Sequence, residues 1–230
     1  MLVLGYNDSP SLSGLVRVLS EVLESGSSEY EIIVVDDGST DHTVGTVGQL
    51  SQRIPQLHLV RYHHNQGVGA AFRSDVKASR GSIVGYIDGD EQFDPRDISS
   101  LLAQLAFADA ASGLRHQRAD PLHRRCMSLV YNWLIRALFR VSLRDVNSGL
   151  KLFHRHFLEA SFPLQSDGPF FDAEVLTRGI AAGYHVVEVP ISHSPRLHGR
   201  ASGGSLRSIR RTLVDLYSHW LSEHEKRSLI

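Results

Sequence analysis

Residues 82–92 read SIVGYIDGDEQ, an apolar run that ends in a cluster of three carboxylates. Residues 31–39 read EIIVVDDGS and repeat this arrangement earlier in the chain. Apolar, β-branched runs of this kind predict buried strands, each delivering a polar loop at its carboxyl end. Residues 57–62 form a third candidate strand, and helical patterns separate the three. Strands that alternate with helices predict an α/β fold whose central sheet is mostly parallel and flanked by helices.

The remaining elements follow from periodicity and from capping signals. We predict helices over residues 10–24, 41–53, 66–79, 95–107, 122–140 and 172–182. Thr40-Asp41 is a suitable N-cap for the second helix, and Pro95 suits the start of the fourth. Further strands are predicted at 150–154 and 184–189, the latter stopped by Pro190, followed by a loop at 192–205. We therefore expect a catalytic domain over residues 1–204 and an amphipathic helical tail over residues 205–230.

Composition limits the classes of function. The 230 residues are 42% hydrophobic and 21% charged, with a net charge of −1, so no global field attracts nucleic acid. A single cysteine excludes a disulfide framework and a cysteine-based zinc site within one chain. The sequence shows neither a signal peptide nor an apolar run long enough to span a membrane, which predicts a cytoplasmic protein. The tail is a candidate for peripheral contact with the cytoplasmic membrane face, although packing is the commoner role of such a helix.

The two acidic loops are the sharpest candidates for a functional site. Ligands of parallel α/β sheets bind beyond the carboxyl ends of the strands, where both loops are expected. Asp88 and Asp90 have the oxygen ligands that magnesium and manganese prefer, and Gly89 permits close approach of the backbone. Asp37 is placed to contact a base or a ribose. The alternatives are an ordinary polar turn after each strand and helix capping by residues 39–41.

Other polar groups are weaker signals. Residues 65–71, NQGVGAA, resemble a phosphate-cradling loop but lack the P-loop lysine, so glycines that permit close packing of a helix are the preferred interpretation. Arginine binds phosphate through a fork of donors, which makes Arg115, Arg124, Arg196 and Arg200 candidates for anion binding. A solvated surface is the alternative for each. The histidine spacing fits no zinc pattern.

Taken together, the motifs resemble the family 2 glycosyltransferases of the GT-A fold. Within them the chain is similar to the polyprenyl-phosphate sugar transferases, such as dolichol-phosphate mannosyltransferase. The resemblance runs from about Leu4 to Ser202. Its motifs, in chain order, are residues 6–8, 35–39, 65–71, 88–92 and 113–115, then Arg124 with Ser128 and Asn132, then Asp145 with residues 148–153, and finally residues 171–174, 188–190 and Arg196 with Gly199.

The resemblance implies roles for individual residues. Tyr6, Asp8, Val35 and Asp37 would contact the nucleotide, and Gly89 would line the nucleotide-sugar site. Asp88, Asp90 and Gln92 would hold Mg²⁺ or Mn²⁺ and the diphosphate. Arg115, Arg124, Ser128 and Arg196 would bind phosphates of the donor or the acceptor, and Asp90, Arg124 and Arg196 would be the catalytic residues.

Some positions depart from the family pattern. Leu4-Gly5 stands where the family has a proline before the tyrosine, and Gly89 replaces an alanine between the two metal aspartates. Leu114 replaces a serine between Gly113 and Arg115, and the segment between Arg115 and Arg124 is short. These departures bear on the identity of the donor more than on the fold.

The resemblance implies an inverting transfer from a nucleoside-diphosphate sugar, with two alternatives for the acceptor. A polyprenyl phosphate is already anionic near neutral pH and needs arginines rather than a base. A sugar hydroxyl needs a carboxylate base, for which Asp172 and Glu174 are the candidates. The arginines of the second half favour the polyprenyl phosphate. Binding of a nucleotide sugar without turnover is a further alternative, and no pattern specifies an oligomeric state.

Overall fold

A computed structural model describes residues 1–5, 7, 9–26, 29–116, 120–196 and 205–228. The strands are β1 (Leu2–Gly5), β2 (Ile32–Asp36), β3 (Leu57–Arg61), β4 (Ile83–Asp88), β5 (Ala110–Arg115), β6 (Leu150–His154) and β7 (Val186–Ile191). The helices are α1 (Ser9–Gly26), α2 (Thr43–Ser51), α3 (Val68–Ala78), α4 (Ile98–Gln104), α5 (Leu122–Phe139), α6 (Arg155–Ser161), α7 (Phe171–Ala181) and α8 (Leu206–Ser228). A 3₁₀ turn over Pro95–Asp97 precedes α4.

The strands form one seven-stranded sheet in the order β3-β2-β1-β4-β6-β5-β7. The strands β3, β2, β1 and β4 are parallel, so their carboxyl ends lie at the same edge. Strand β6 runs antiparallel to both of its neighbours, whereas β5 and β7 are parallel to each other. The predicted α/β fold with a mostly parallel sheet is therefore confirmed, and the reversed β6 separates two parallel halves.

Each face of the sheet carries its own apolar core, because successive strand residues point to opposite sides. On one face, Leu2, Leu4 and Ile33 pack with residues of α3, α5 and α7. On the other face, Val3 and Val34 pack with residues of α1 and α4. The two layers of helices fix the sheet between them, so the loops at the carboxyl edge start from rigid strands.

Residues Gly67 and Gly69 allow a loop backbone to pack directly on the start of α3. A Cβ atom on Gly67 would lie 2.2 Å from the carbonyl oxygen of Asp167, and one on Gly69 would lie 2.3 Å from that of Ser166. Gly67 also has a φ of 101°, a conformation that favours glycine. The backbone N–H of Gly69 donates to Asp167 at 3.0 Å. The glycines thus serve close packing, against a loop rather than against the sheet.

Several boundaries differ from the sequence-based prediction. Strand β5 and helix α6 were not predicted, and α2 begins at Thr43, where the Asp41 carboxylate accepts the backbone N–H of Thr43 at 3.0 Å. Pro190 lies inside β7 rather than ending it. This position is tolerated because β7 is an edge strand, where a missing N–H breaks no ladder bond.

Helix α8 packs on the body of the fold over part of its length. Leu216 and His219 are buried, and the His219 ring contacts Phe139 and Phe170 with centroid distances of 5.0 and 5.6 Å. The hydroxyl of Ser166 donates to Asp215 at 2.6 Å. The middle of α8 is thereby held next to the 166–168 loop.

Helix α3 carries a buried carboxylate, Asp75. The Tyr62 hydroxyl donates to its Oδ1 atom at 3.4 Å, and Oδ2 is buried without a hydrogen-bond partner among the described residues. Burial, opposed by the Tyr62 bond and reinforced by the charge of Asp37, raises the pKa of Asp75 to about 7. Folding therefore works against the charged form of this side chain.

The close approach at Gly69 predicts a large cost for an added methyl group. Gly69→Ala should lower the free energy of unfolding by about 1–3 kcal/mol, because the loop backbone has to move. Gly45→Ala is the matched control, since Gly45 is also helical and a Cβ there meets nothing within 4 Å. Urea unfolding of both variants provides the measurement, and equal stabilities of the two would contradict the packing role.

The raised pKa of Asp75 predicts a pH-dependent gain in stability for Asp75→Asn. Between about pH 4 and 7 the unfolded chain has released this proton while the folded protein retains it, so native stability falls as pH rises through that window. The variant lacks this fall and should exceed the native protein by about 1–3 kcal/mol at pH 8, with little difference at pH 4. Urea unfolding at both pH values tests this, with the exposed Glu21→Gln as control. A pH-independent difference would refute the assignment.

Candidate active site

A crevice of about 880 Å³ opens at the carboxyl ends of β1, β2 and β4. Val35, Asp37, Asp88, Gly89 and Asp90 line it, as their positions at the strand ends predict. The opposite wall comes from α7, the 168–169 turn and the start of α8. Tyr6 and Asp8, which were expected to contact the nucleotide, lie outside the described residues.

The carboxylate of Asp37 lies between the crevice and the turn that precedes α3. Its two oxygens accept the backbone N–H groups of Gln66 and Gly67 at 2.8 and 2.9 Å. Burial raises the pKa of Asp37, although these two hydrogen bonds act in the opposite direction. Asp37 therefore positions the 65–67 turn while lining the crevice.

Asp88 and Asp90 form a crowded acidic pair. The Asp88 carboxylate lies directly against Gly149, where a Cβ atom would be 2.0 Å from Oδ2. Burial, and then the negative charges of Asp90 and Asp172, raise the pKa of Asp88 well above its usual range, while Lys151 and Arg115 act in the opposite direction. Asp90 is 5% exposed and accepts the backbone N–H of Gln92 at 3.1 Å. The positive charges of Lys151 and Arg115 thus do not offset the burial and the acidic neighbours of Asp88.

This charge deficit fits a divalent cation. Within the described residues no group of three or more histidine, cysteine, aspartate or glutamate side chains is arranged to hold a metal ion. Two carboxylates nevertheless suffice where substrate phosphates and waters complete the coordination, as is usual for Mg²⁺. The side-chain amide N–H of Gln92 donates to the Ser194 carbonyl at 3.2 Å, so its predicted metal contact would use the remaining oxygen.

Residues 192–196 are attached to the acidic loop. The guanidinium of Arg196 donates to Asp90, and the backbone N–H of Ser194 donates to the Gln92 carbonyl at 2.9 Å. The His193 ring packs on Phe93 at 5.3 Å between centroids. Arg196 thus brings a positive charge to the acidic pair, and its binding of phosphate stays a prediction. Arg200 lies in the segment 197–204, outside the described residues.

The structure gives the other predicted phosphate-binding residues different neighbours. Arg115 makes two 2.7 Å hydrogen bonds to Asp145, and Arg124 lies 3.7 Å from the Asp120 carboxylate. The hydroxyl of Ser128 accepts the amide N–H of Asn132 at 3.3 Å. Arg115, Arg124 and Ser128 do not belong to the described residues that line the crevice. Phosphate binding by these three residues stays a prediction.

Helix α8 supplies crevice residues that were assigned only to the tail. Arg207, Ser208 and Arg211 line the crevice, and Arg211 donates to the Asp167 carboxylate at 3.2 Å. The sequence does indicate that Arg207 and Arg211 form one basic patch, because they are one helical turn apart and share a face of α8. Whether this patch reaches the crevice depends on where α8 packs, which periodicity alone does not specify.

A buried lysine lies behind the crevice wall. Lys151 is fully buried, and its ammonium donates to Asp172 Oδ1 at 2.9 Å and to the Tyr86 hydroxyl at 2.8 Å. The Tyr86 hydroxyl also donates to Asp172 Oδ1. Burial raises the pKa of Asp172, opposed by the charge of Lys151 and these hydrogen bonds. The sequence-based prediction assigned no role to Lys151, although a lysine inside the apolar strand β6 indicates a buried charge that needs a partner.

The two candidate bases differ in position. Asp172 lines the crevice, whereas the carboxylate of Glu174 accepts the backbone N–H groups of Gln165 and Ser166 and pairs with Arg178. Glu174 is 1% exposed and holds the loop that packs on α3. The geometry therefore leaves Asp172 as the base candidate.

Comparisons with known proteins agree with this geometry. In sequence, the chain is 32% identical over 203 residues to glycosyltransferase AglD of Haloferax volcanii, covering 83% of this chain and 32% of the relative. It is 30% identical to dodecaprenyl-phosphate galacturonate synthase of Rhizobium johnstonii, covering 93% of this chain and 63% of that protein. It is 28% identical to undecaprenyl-phosphate 4-deoxy-4-formamido-L-arabinose transferase of Pseudomonas fluorescens, covering 89% and 59%. The chain thus spans less than two thirds of the length of these relatives.

The fold is also shared with solved structures. Glucosyl-3-phosphoglycerate synthase from Mycobacterium tuberculosis, in complex with Mn²⁺ and uridine-diphosphate-glucose, superposes with a TM-score of 0.75. The identity is 18%, and the match covers 95% of this chain and 77% of the other. This confirms the expected GT-A fold. Within the described helices, none combines the length and apolar character that crossing a bilayer requires.

The model of the family described as "Glycosyl transferase family 2" matches residues 3–160, which include most of β1, all of β2 to β6 and the acidic pair. The chain therefore belongs to glycosyl transferase family 2.

Proposed function

We propose that this chain transfers a sugar from a nucleoside-diphosphate sugar to a polyprenyl phosphate, with inversion at the anomeric carbon. The observation that carries the proposal is that an acidic pair and arginines line one crevice. Asp88 and Asp90 suit a cation, while Arg196, Arg207 and Arg211 suit phosphates. Two relatives named for polyprenyl-phosphate products support the same acceptor class.

The residues of the crevice have distinct tasks in this reaction. Val35 and Asp37 hold the nucleoside, and Asp88 and Asp90, with the amide oxygen of Gln92, hold Mg²⁺ or Mn²⁺. The bound cation would neutralise charge on the departing nucleoside diphosphate. Arg196 adds a fixed positive charge beside Asp90. The preorganised charges thereby stabilise the diphosphate as it accumulates negative charge.

A phosphate acceptor needs no general base. An oxygen of the acceptor phosphate forms the new bond to the anomeric carbon, and the bond from that carbon to the diphosphate oxygen breaks. The second pKa of a phosphomonoester is about 6, so the attacking oxygen is already deprotonated near neutral pH. We assign the acceptor phosphate to Arg124 and Ser128, together with Arg115, and the whole protein to the cytoplasmic membrane face.

A second candidate function is transfer to a sugar hydroxyl with Asp172 as base. The favouring observation is that Asp172 lines the crevice and that burial raises its pKa. Lys151 and Tyr86 both use Oδ1, which leaves Oδ2 to accept a proton. The raised pKa makes the carboxylate a stronger base than an exposed aspartate.

A donor screen against polyprenyl phosphate, with and without Mn²⁺ or Mg²⁺, tests the proposed function. We expect a lipid-linked sugar with at least one donor, dependent on the cation. Asp90→Asn should lower the rate by at least about 10²-fold, because the diphosphate loses its electrostatic support. Glu91→Gln, in the same loop but not among the described crevice residues, is the matched control. Turnover onto a soluble sugar, with no lipid-linked product from any donor, would favour the second candidate.

Asp172→Asn separates the two acceptors. For a polyprenyl phosphate, we expect the transfer rate to fall by less than about tenfold, because no proton has to be removed at pH 7.5. For a hydroxyl acceptor the fall should reach about 10²–10⁴-fold, the usual contribution of a general base. Thermal unfolding of the variant controls for damage to the Lys151 pair. A fall of the larger size with polyprenyl phosphate in a folded variant would contradict the base-free mechanism.

A further inference from the structure

Helix α5 carries an apolar stripe that the fold leaves exposed. Leu122, Leu129, Val130 and Trp133 are 73%, 67%, 60% and 60% exposed. Their spacing places them on one side of the helix, together with Cys126, which is also exposed. We call these five residues the α5 stripe. Contiguous exposed apolar surface of this kind marks a site of interaction.

The α5 stripe is not the side by which the helix joins the fold. Asn132, Ile135 and Phe139 are buried and belong to the opposite side of α5. Arg124 and Ser128 precede Asn132 at intervals of four residues and are half-buried on that inner side. A partner can therefore cover the stripe without displacing the core or the candidate phosphate residues.

The charges around the stripe indicate the chemistry of the partner. From Leu122 to Arg144 the sequence contains no aspartate or glutamate and five arginines, namely Arg124, Arg125, Arg136, Arg140 and Arg144. Arg125 and Arg136 are one turn from Leu129 and Trp133 and so border the stripe. The carboxylates nearest in sequence are already engaged, since Asp120 lies near Arg124 and Asp145 binds Arg115.

We infer that the α5 stripe docks on an anionic lipid bilayer, with α5 lying in the plane of the interface. An apolar side that includes a tryptophan and has a border of arginines is the composition of interfacial helices. A second copy of this chain is disfavoured as the partner, because its α5 stripe would place its own Arg125 and Arg136 next to those of the first copy, and the like charges would repel. The inference deepens the proposed function, since it would hold Arg124 and Ser128 within about one helix diameter, roughly 10 Å, of lipid headgroups.

Sedimentation with lipid vesicles tests the docking surface. The vesicles contain phosphatidylcholine with or without phosphatidylglycerol and no polyprenyl phosphate, so the result does not depend on transfer. We expect the native chain to bind the anionic vesicles, less in high salt. Leu129→Ser with Trp133→Ser should lower the partition coefficient by about tenfold or more. Leu213→Ser with Tyr217→Ser, at exposed positions of α8, is the matched control and should retain binding.

Cys126 provides a direct readout, because it is the only cysteine of the chain and lies on the stripe. An environment-sensitive fluorophore on Cys126 should shift its emission to the blue with anionic vesicles and not with phosphatidylcholine alone. Absence of native binding, equal binding by the α5 variant, or loss of binding only in the α8 control would overturn the inference. A native dimer in sedimentation velocity that the α5 substitutions convert to monomer would assign the stripe to a second copy instead.

The transfer reaction itself separates this inference from the proposed function. With a short-chain, water-soluble polyprenyl phosphate, the Leu129→Ser, Trp133→Ser variant should keep the native rate, since neither residue touches the crevice. Vesicle binding without transfer would refute the proposed function alone, and transfer without vesicle binding would refute the docking alone.

Discussion

The concentration of negative charge at one edge of the sheet is the constraint on which the site depends. Burial, and then the negative charges of Asp90 and Asp172, raise the pKa of Asp88 well above its usual range. Two positive charges offset part of this negative charge. The buried Lys151 pairs with Asp172, and Arg196 pairs with Asp90. Buried charges with a shifted pKa cluster at functional sites, which supports the role proposed for this crevice.

Close backbone approach makes this concentration of charge possible. Gly149 lets the Asp88 carboxylate lie against the backbone just before β6, and Gly67 and Gly69 let the 166–168 loop cover the start of α3. The same loop meets α8 through the bond from Ser166 to Asp215 and the pair between Asp167 and Arg211. The glycines thus connect the acidic edge to the helix that supplies arginines to the opposite wall.

The sequence predicted the parts of the site that follow from local pattern. Val35, Asp37, Asp88 and Asp90 line the crevice because each sits at the end of an apolar strand, and parallel strands bring those ends together. Strand β5 was missed because its sequence, AASGLR, is rich in small residues and lacks the β-branched signal.

The sequence pattern alone does not predict which distant segments contribute residues to the site. The meeting of Lys151 with Asp172, and of Arg207 and Arg211 with the acidic loops, depends on how whole elements pack. The sequence shows an ionisable residue in an apolar strand or on a helix face but not its partner. Arg115 is an example, because the sequence predicts that it binds a phosphate, whereas in the structure it pairs with the carboxylate of Asp145.

Local rather than net charge governs what this chain can bind. A formal charge of −1 excludes a global field, yet two segments each concentrate charge of one sign, residues 88–91 acidic and residues 122–144 basic. The acidic groups gather at the strand ends, where a cation and a diphosphate can share them. Arg125 and Arg136 of α5 border an exposed apolar stripe, and this combination suits an anionic surface with an apolar interior. Because α5 carries Arg124 on its inner side and the apolar stripe on its outer side, the residue proposed for the acceptor phosphate and the surface proposed for the lipid belong to one helix.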